Sequence, residues 1–287
     1  MAISRIPLNA GLYVVATPLG NARDITLRAL DVLASADVLV AEDTRTLRKL
    51  LQIHGISLEN RRIVAFHDHS GTGRVDQLVA AMAQGQSVAL TSDAGTPLIS
   101  DPGYELVMAA HAHGVPVTSA PGPSAVIAAL SIAGVPTDRF SFMGFLPSQA
   151  GKRESVLQDC KAYAHPVLFY ETAKRLGDSL AQIATTCGPD RGVVVCRELT
   201  KRFEDIQSGP VTELINHFAA KPPKGEIVLI LCPPNQVETD ENDIDQALVN
   251  ALLTLRVKDA AALVAGAFNL PKRDVYQRAL ALTQKDK

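Results

Sequence analysis

The chain has no apolar run that approaches the roughly 20 residues a membrane-spanning helix needs. Its first ten residues also lack the apolar core of a secretory leader, so a soluble, cytoplasmic protein is expected, with no membrane among its partners. Cysteine is sparse. Cys160, Cys187, Cys196 and Cys232 form no CxxC pair, which argues against a zinc site and against a disulfide framework. Cys187 and Cys196 sit in or beside apolar segments and read as buried free thiols. Two His-x-His pairs, His67/His69 and His111/His113, have no evident third ligand. No metal is therefore expected, and both pairs read as surface or loop histidines. There is no GxxxxGK[ST], and no GxGxxG follows the first apolar strand, which disfavours a site for nucleotide phosphates.

What is present is an alternation. At 287 residues, 47% hydrophobic and 20% charged, the chain exceeds one ordinary core, and two or more domains are expected. Short apolar segments at Leu12–Thr17, Asp37–Ala41, Ile63–Phe66, Ser87–Thr91 and Val115–Ser119 read as buried strands. Between them, helical periodicity marks Thr26–Ala34, Thr46–Ile53, Arg74–Gln84 and Pro102–His113. This pattern predicts an α/β domain over 1–121 with a mainly parallel sheet. Pro121-Gly122-Pro123 breaks the pattern, and a second α/β domain with a more mixed sheet is expected over 122–233. Its strands are Phe140–Phe145, Val167–Tyr170, Gly192–Glu198 and Glu226–Leu231; its helices after Ser124–Ala133 are Ser155–Ala162, Leu176–Thr186 and Thr212–Ala219.

Residues 234–242 read as a polar linker. A helical module over 243–287 follows, with helices at Ile244–Leu255, Lys258–Phe268 and Lys272–Leu282, the last entered through Pro271. The short turn before it fits a helix-turn-helix, and Leu263, Val264, Ala267 and Phe268 are expected to form a small core or to dock on the body. Charge is split here: five acidic residues and no Lys or Arg lie in 233–255, whereas 256–287 holds seven Lys and Arg against three Asp. A basic module behind an acidic linker points to nucleic acid, with a stabilising cap or a dimer contact as the alternative reading.

In a parallel sheet, ligands gather beyond the carboxyl ends of the strands. Those ends carry Pro18–Asp24, Glu42–Arg45, His67–His69 and Ser92–Gly103, each with polar residues. The small residues Ala94-Gly95-Thr96-Pro97 suit close backbone approach to a ligand lacking phosphate, and S-adenosylmethionine is such a ligand. A tight turn explains the glycine and proline equally well.

The segment SDAGTPLISDPG at Ser92–Gly103, together with AEDTR at Ala41–Arg45, resembles the signature of the ribosomal RNA small subunit methyltransferase I family, within the tetrapyrrole methylase superfamily. The resemblance extends through TPLGN with Asp24-Ile25-Thr26, APGPSA at Ala120–Ala125, ELTK at Glu198–Lys201 with Glu204, and KGE at Lys224–Glu226. The chain departs from the family pattern at Thr172-Ala173-Lys174 and at Ser70. The resemblance implies two α/β domains with S-adenosylmethionine bent into the cleft between them. By match of motif, Leu19, Ala94, Gly95, Thr96, Ile99, Ser124, Ala125, Tyr170, Glu171, Leu199, Gly225 and Glu226 would line that cleft. It also implies a homodimer that methylates the 2′-hydroxyl of a cytidine in 16S rRNA of the small ribosomal subunit, at the decoding centre.

Methyl transfer from a sulfonium is largely alignment of donor and acceptor, helped by a base for the hydroxyl proton. Asp43 is the candidate base, with Arg45 holding a nearby phosphate; Asp24 and Asp101 are the next catalytic candidates. Arg23, Arg45, Lys201, Lys272 and Arg273 are candidate RNA contacts. Bland readings stand beside these. Asp101 before Pro102 reads more readily as a helix cap, Asp24 before Thr26 is open to the same reading, and Asp43 and Arg45 could simply pair at a helix start. Lys201 and Glu204 could likewise be an ion pair. Two other functions compete: a methyltransferase acting on a tetrapyrrole, which needs no basic tail, and a nucleic-acid-binding regulator, which needs no polar residues at so many strand ends.

Overall fold

A computed structural model describes residues 5–67, 71–234, 241–268 and 270–285. Met1–Pro234 forms one compact unit and Asn235–Lys287 another. Asp68, His69, Ser70, linker residues 235–240, Asn269, Asp286 and Lys287 lie outside the described residues.

The larger unit begins with β1 (Gly11–Val15), β2 (Val38–Ala41), β3 (Ile63–Ala65), β4 (Ser87–Thr91) and β5 (Val117–Ala120). They form an all-parallel sheet in the order β3-β2-β4-β1-β5. Every residue of central β4 is buried, as it must be in a strand covered on both faces. On one face α1 (Leu27–Ser35) and α2 (Thr44–Ile53) pack Leu30, Leu33, Leu47 and Leu51 against Val15, Leu39 and Ala89. On the other, α3 (Thr72–Ala83) and α4 (Tyr104–Ala112) set Val75, Leu78, Met82 and Leu106 on Leu12, Val88 and Leu90. Val88, Ala89 and Leu90 thus alternate between two cores, as the strand period requires. Register from Gly11↔Ser87 to Val15↔Thr91 makes β1 and β4 end level, so the loops that follow them start side by side.

From Ala120 the chain passes through Pro121–Pro123 into α5 (Ala125–Ile132). This helix does not return to the first sheet. Val126, Ala129 and Leu130 pack on Leu168, Val194 and Val228 of a second sheet, and Leu19 from the loop after β1 joins the same cluster. The second sheet comprises β6 (Ser141–Phe145), β7 (Val167–Thr172), β8 (Gly192–Arg197), β9 (Asp205–Pro210) and β10 (Glu226–Leu231), in the order β6-β7-β10-β8-β9. Only β6 and β7 run parallel, so the sheet is mixed, as expected. Its other face carries α6 (Ala150–Cys160), α7 (Leu176–Cys187) and α8 (Val211–Ala220), with Leu157, Leu180, Ile183 and Leu214 on Phe169, Val195 and Leu229. β9 has no counterpart in the sequence reading. Its residues Asp-Ile-Gln-Ser-Gly-Pro offer one apolar side chain and no alternation; pairing with β8 alone makes it an edge strand, where polar residues and proline are tolerated.

Two capping expectations are corrected. α4 starts at Tyr104 with Gly103 as its N-cap, so Asp101 is not the N-cap residue. At α1 the cap is Thr26, whose hydroxyl accepts from Ala29 N at 3.1 Å, which removes that role from Asp24. The cysteines are free: Cys160 and Cys196 are buried, Cys187 and Cys232 partly so. His111 and His113 are exposed.

The smaller unit is three helices, α9 (Glu241–Leu252), α10 (Val257–Ala267) and α11 (Lys272–Lys285). They close on Leu248, Ala260, Val264, Val275 and Ala279. Val264 belongs to this core and Phe268 packs against it, whereas Leu263, 59% exposed, and Ala267, also exposed, lie outside it. The helical period turns Ala260, Ala261 and Val264 inward together. Asp245 belongs to α9, and the Arg278 guanidinium of α11 forks onto its carboxylate at 2.5 and 3.2 Å. Part of the charge split is therefore spent inside the unit. No helix among the described residues is long and apolar enough to cross a membrane.

Candidate functional site

The loops after β1 and β4 are stitched by a reciprocal pair of backbone bonds, Thr17 N to Gly95 O at 2.8 Å and Gly95 N to Thr17 O at 2.9 Å. Thr17 Oγ1 donates to Ser92 O at 3.2 Å, and Thr96 Oγ1 donates to Pro123 O at 2.9 Å. Three motifs that are far apart in sequence thus become one surface. Gly95 sits at φ +79°, and a Cβ there would stand 3.1 Å from Leu19 Cδ2.

Opposite this surface, ELTK and KGE form a latch. Glu198 Oε1 accepts from Lys201 Nζ at 2.8 Å and from Glu226 N at 3.1 Å, and Lys201 Nζ also donates to the Glu226 carboxylate at 2.8 Å. Burial opposes both charges, but these hydrogen bonds outweigh it, lowering the Glu198 pKa and raising that of Lys201. The Lys201 stem lies across Gly20, where a Cβ would collide with it, and Asn21 N donates to Thr200 Oγ1 at 3.2 Å. The loop after β1 is thereby fastened to the second sheet. Among the described residues, four of the five non-glycine positions with positive φ are Leu98, Ser100, Glu198 and Thr200. Backbone strain is thus gathered in these two loops, as it is at ligand sites generally.

Between the two surfaces lies a cavity of about 370 Å³, within the range of small-molecule sites. Eleven of the twelve expected cofactor residues line it: Leu19, Ala94, Gly95, Thr96, Ile99, Ser124, Ala125, Tyr170, Glu171, Leu199 and Glu226. Gly225 does not. A Cβ at Gly225 would run into the Glu198 carboxylate, so this glycine makes room for the latch. Glu171 touches the cavity by its backbone, since its side chain is fully buried. There Oε1 accepts from Arg175 Nε at 2.7 Å and Oε2 from Ser179 Oγ at 2.6 Å, which ties α7 to β7. Glu42, Asp93 and Asp101 also line the cavity, beside Phe145, Ile227 and Val228. Glu42 and Asp93 are visible in sequence as strand-end residues; the apolar three carry no mark separating them from core. Burial, with some help from the Asp101 charge, pushes the Tyr170 phenol up to about 12, and Phe142 and Phe145 meet its ring edge-on. The lining includes Glu42, Asp93, Asp101 and Glu226 but no Lys or Arg.

A family model of the tetrapyrrole (corrin/porphyrin) methylases matches residues 11–215, and one of the RsmI C-terminal HTH domain matches residues 238–283. A protein named ribosomal RNA small subunit methyltransferase I from Mesorhizobium japonicum is 44% identical over 277 residues, 96% of this chain and 93% of the relative. The protein of the same name from Escherichia coli O157:H7 is 44% identical over 273 residues, 94% of each chain. The chain belongs to the ribosomal RNA small subunit methyltransferase I family. Among solved structures, diphthine synthase superposes with a TM-score of 0.62 at 15% identity, covering 77% of this chain and 89% of that one, a likeness of fold.

The expected catalytic and RNA-contacting residues of this family member are placed less uniformly than its cofactor residues. Asp43 is the N-cap of α2: its carboxylate accepts from Arg45 N at 2.8 Å and is clasped by the Arg45 guanidinium at 2.5 to 3.1 Å. The hydrogen bonds from Arg45 hold its pKa down at about 2. That makes it a weak base, and the helix-start pairing is the arrangement found. Arg45 itself is 89% exposed along its side chain. Asp24 lines no cavity described here, and its N–H donates to Asn21 O at 2.9 Å. Arg23 is exposed. Lys201 pairs with Glu198 and Glu226 rather than with Glu204, whose carboxylate accepts from Thr200 N at 2.6 Å. Lys272 and Arg273, in the smaller unit, are exposed in the first turn of α11. Among the described residues, no group of three His, Cys, Asp or Glu could hold a metal ion.

Proposed function

We propose that the chain transfers a methyl group from S-adenosylmethionine to the ribose 2′-hydroxyl of a cytidine in 16S rRNA, near the decoding centre, and does so in the cytoplasm as a homodimer. The observation that carries the cofactor is the make-up of the cavity: no Lys or Arg is among its lining residues, and Glu226 on its rim is paired with Lys201. Such a lining offers phosphate no cationic partner and accommodates a ligand bearing positive charge. S-adenosylmethionine, when bound, would supply an electrophilic methyl carbon: the acceptor oxygen bonds to it as the neutral thioether leaves on the opposite side, and the hydroxyl proton passes to solvent. The relatives' name brings ribosomal RNA as acceptor, and family resemblance brings the cytidine hydroxyl, the decoding centre and the dimer.

The chain's own work is alignment, which alone is able to supply a large part of a rate enhancement. The Thr17–Gly95 stitch and the Glu198–Lys201–Glu226 latch fix the two walls relative to each other. Arg45, exposed beside the cavity, is the contact for a substrate phosphate, and Asp43 aims it. Asp43→Asn is accordingly expected to slow transfer by about tenfold or less, below the roughly 10²–10⁴-fold loss of a general base. Arg45→Ala is expected to raise KM for RNA more than it lowers kcat, with cofactor affinity kept in both. Steady-state kinetics on small subunits checks this, and a fall in kcat beyond about 10²-fold in Asp43→Asn would restore the carboxylate as base.

The smaller unit is proposed as an RNA-binding arm. Lys272 and Arg273 stand where the N–H groups of α11 already favour an anion. Truncation after Pro234 is expected to leave S-adenosylmethionine binding intact, weaken RNA affinity and flatten its salt dependence. Lys272→Ala with Arg273→Ala in the full chain is expected to reduce the salt slope by about one per lost contact. Normal RNA binding by the double variant, with monomers from the truncation on gel filtration, would make the unit a dimer contact instead.

The function is tested by mass mapping of small-subunit rRNA from a strain lacking the gene. One ribose methyl on a cytidine is expected to vanish and to return when the gene is restored. An unchanged rRNA, or a loss of tetrapyrrole methylation in its place, would overturn the proposal.

A further inference from the structure

A second cavity, of about 210 Å³, opens between the loop after β1 and α2. Pro18, Leu50 and Ile53 give it apolar walls, and Thr46, Lys49 and Asp93 edge it. It shares Leu19 and Asp93 with the cofactor cavity, so a group seated in it abuts whatever fills the larger one. At roughly 30 Å³ per water, its volume is that of about seven waters, which leaves room for one pyrimidine ring with its substituents. Asp93 Oδ1 accepts from Asp43 N at 3.0 Å. Its other carboxylate oxygen has no hydrogen-bond partner among the described residues. A carboxylate at neutral pH only accepts, so a partner must donate. Alongside, α2 exposes Arg45, Arg48 and Lys49, a cationic edge of the kind that positions a nucleic-acid backbone.

We propose that this cavity receives the base of the acceptor nucleotide, turned out of its stack, and that Asp93 accepts a hydrogen bond from the exocyclic amino group of that base. The inference rests on the RNA reading given above and adds to it the means of choosing the nucleotide. Sequence-specific recognition of RNA uses unstacked bases read on their Watson–Crick edges. Cytosine presents an amino donor where uracil presents a carbonyl acceptor, so a facing carboxylate attracts one and repels the other. With the base held there, its ribose lies at the shared wall, next to the methyl donor.

Thr46→Trp and Ile53→Trp test this, because both positions are exposed and line the second cavity but not the first. Each variant, with the wild type, is titrated with S-adenosylmethionine and assayed for methyl transfer to small subunits from a strain lacking the modification. Cofactor Kd is expected to stay within about twofold of wild type, while transfer falls by about 100-fold or more, the upper end of one lost base recognition. Asp93→Asn, assayed on subunits carrying cytidine or uridine at the acceptor position, is expected to narrow the preference by about 10-fold or more. Normal transfer by both tryptophan variants would overturn the inference while leaving the enzyme's function standing. Loss of cofactor binding in the folded variants would give the cavity to the cofactor and also overturn it. An unchanged preference in Asp93→Asn would remove Asp93 as the reader. Wild-type protein that methylates neither RNA would refute the function itself, and the inference with it.

Discussion

Gly95→Leu is expected to weaken S-adenosylmethionine binding by at least about 100-fold, about 2.7 kcal/mol, in a protein that still folds. Gly95 sits at φ +79°, and both its N–H and its C=O are committed to Thr17. The backbone cannot move without breaking the stitch, so an added side chain must go where its Cβ points. That direction is toward Leu19, 3.1 Å away and itself part of the cavity wall. Left-handed strain costs roughly 1–2 kcal/mol, which a protein of ordinary stability survives; crowding of the cavity is the larger effect on binding. Calorimetry on the variant, with circular dichroism as the check on folding, reads the result. Wild-type affinity in a folded Gly95→Leu would place the cofactor elsewhere.

Gly225→Ala is expected to destabilise the protein by about 2–4 kcal/mol through strain and lost charge-assisted hydrogen bonds. It should also weaken cofactor binding indirectly. Gly225 has φ +94°, and its Cα is covered by the Glu198 side chain. A methyl group there displaces the carboxylate that holds Lys201 and the Glu226 amide, and Lys201 is what lies on Gly20. The double variant separates this account from a direct cofactor contact. With Glu198→Ala already present the collision is gone, so Gly225→Ala should cost much less than in wild type. Additive losses in thermal unfolding would contradict the latch.

The first sheet was legible because each strand is a short apolar run set between helical periods, and burial on both faces demands such runs. β9 was not, because an edge strand with one apolar residue looks like a loop. The residues that line the larger cavity were legible from motifs, yet motif matching says nothing of how a residue acts. Glu171 lies in the right place with its carboxylate turned into the core, and Gly225 earned its place in the motif by sparing Glu198. Asp43 and Arg45 sit two residues apart on a helix start, where a local ion pair competes with any catalytic use. Asp101 looked like a cap because Pro102 follows it, but positive φ at Leu98 and Ser100 carries the loop onward before α4 begins at Tyr104. The second cavity was half legible: Pro18, Leu19, Gly20, Ala22, Ser92 and Asp93 stand out as strand-end residues, but Thr46, Lys49, Leu50 and Ile53 of α2 look like ordinary helix residues.

The central claim is that an acidic cavity between two sheets holds a cationic adenosyl ligand rather than a phosphorylated one. Titration of the purified protein with S-adenosylmethionine, alone and then in the presence of excess ATP, tests it most directly. Saturable binding of S-adenosylmethionine that ATP does not displace is predicted. Binding of ATP that excludes S-adenosylmethionine, or no binding of S-adenosylmethionine at all, would contradict it.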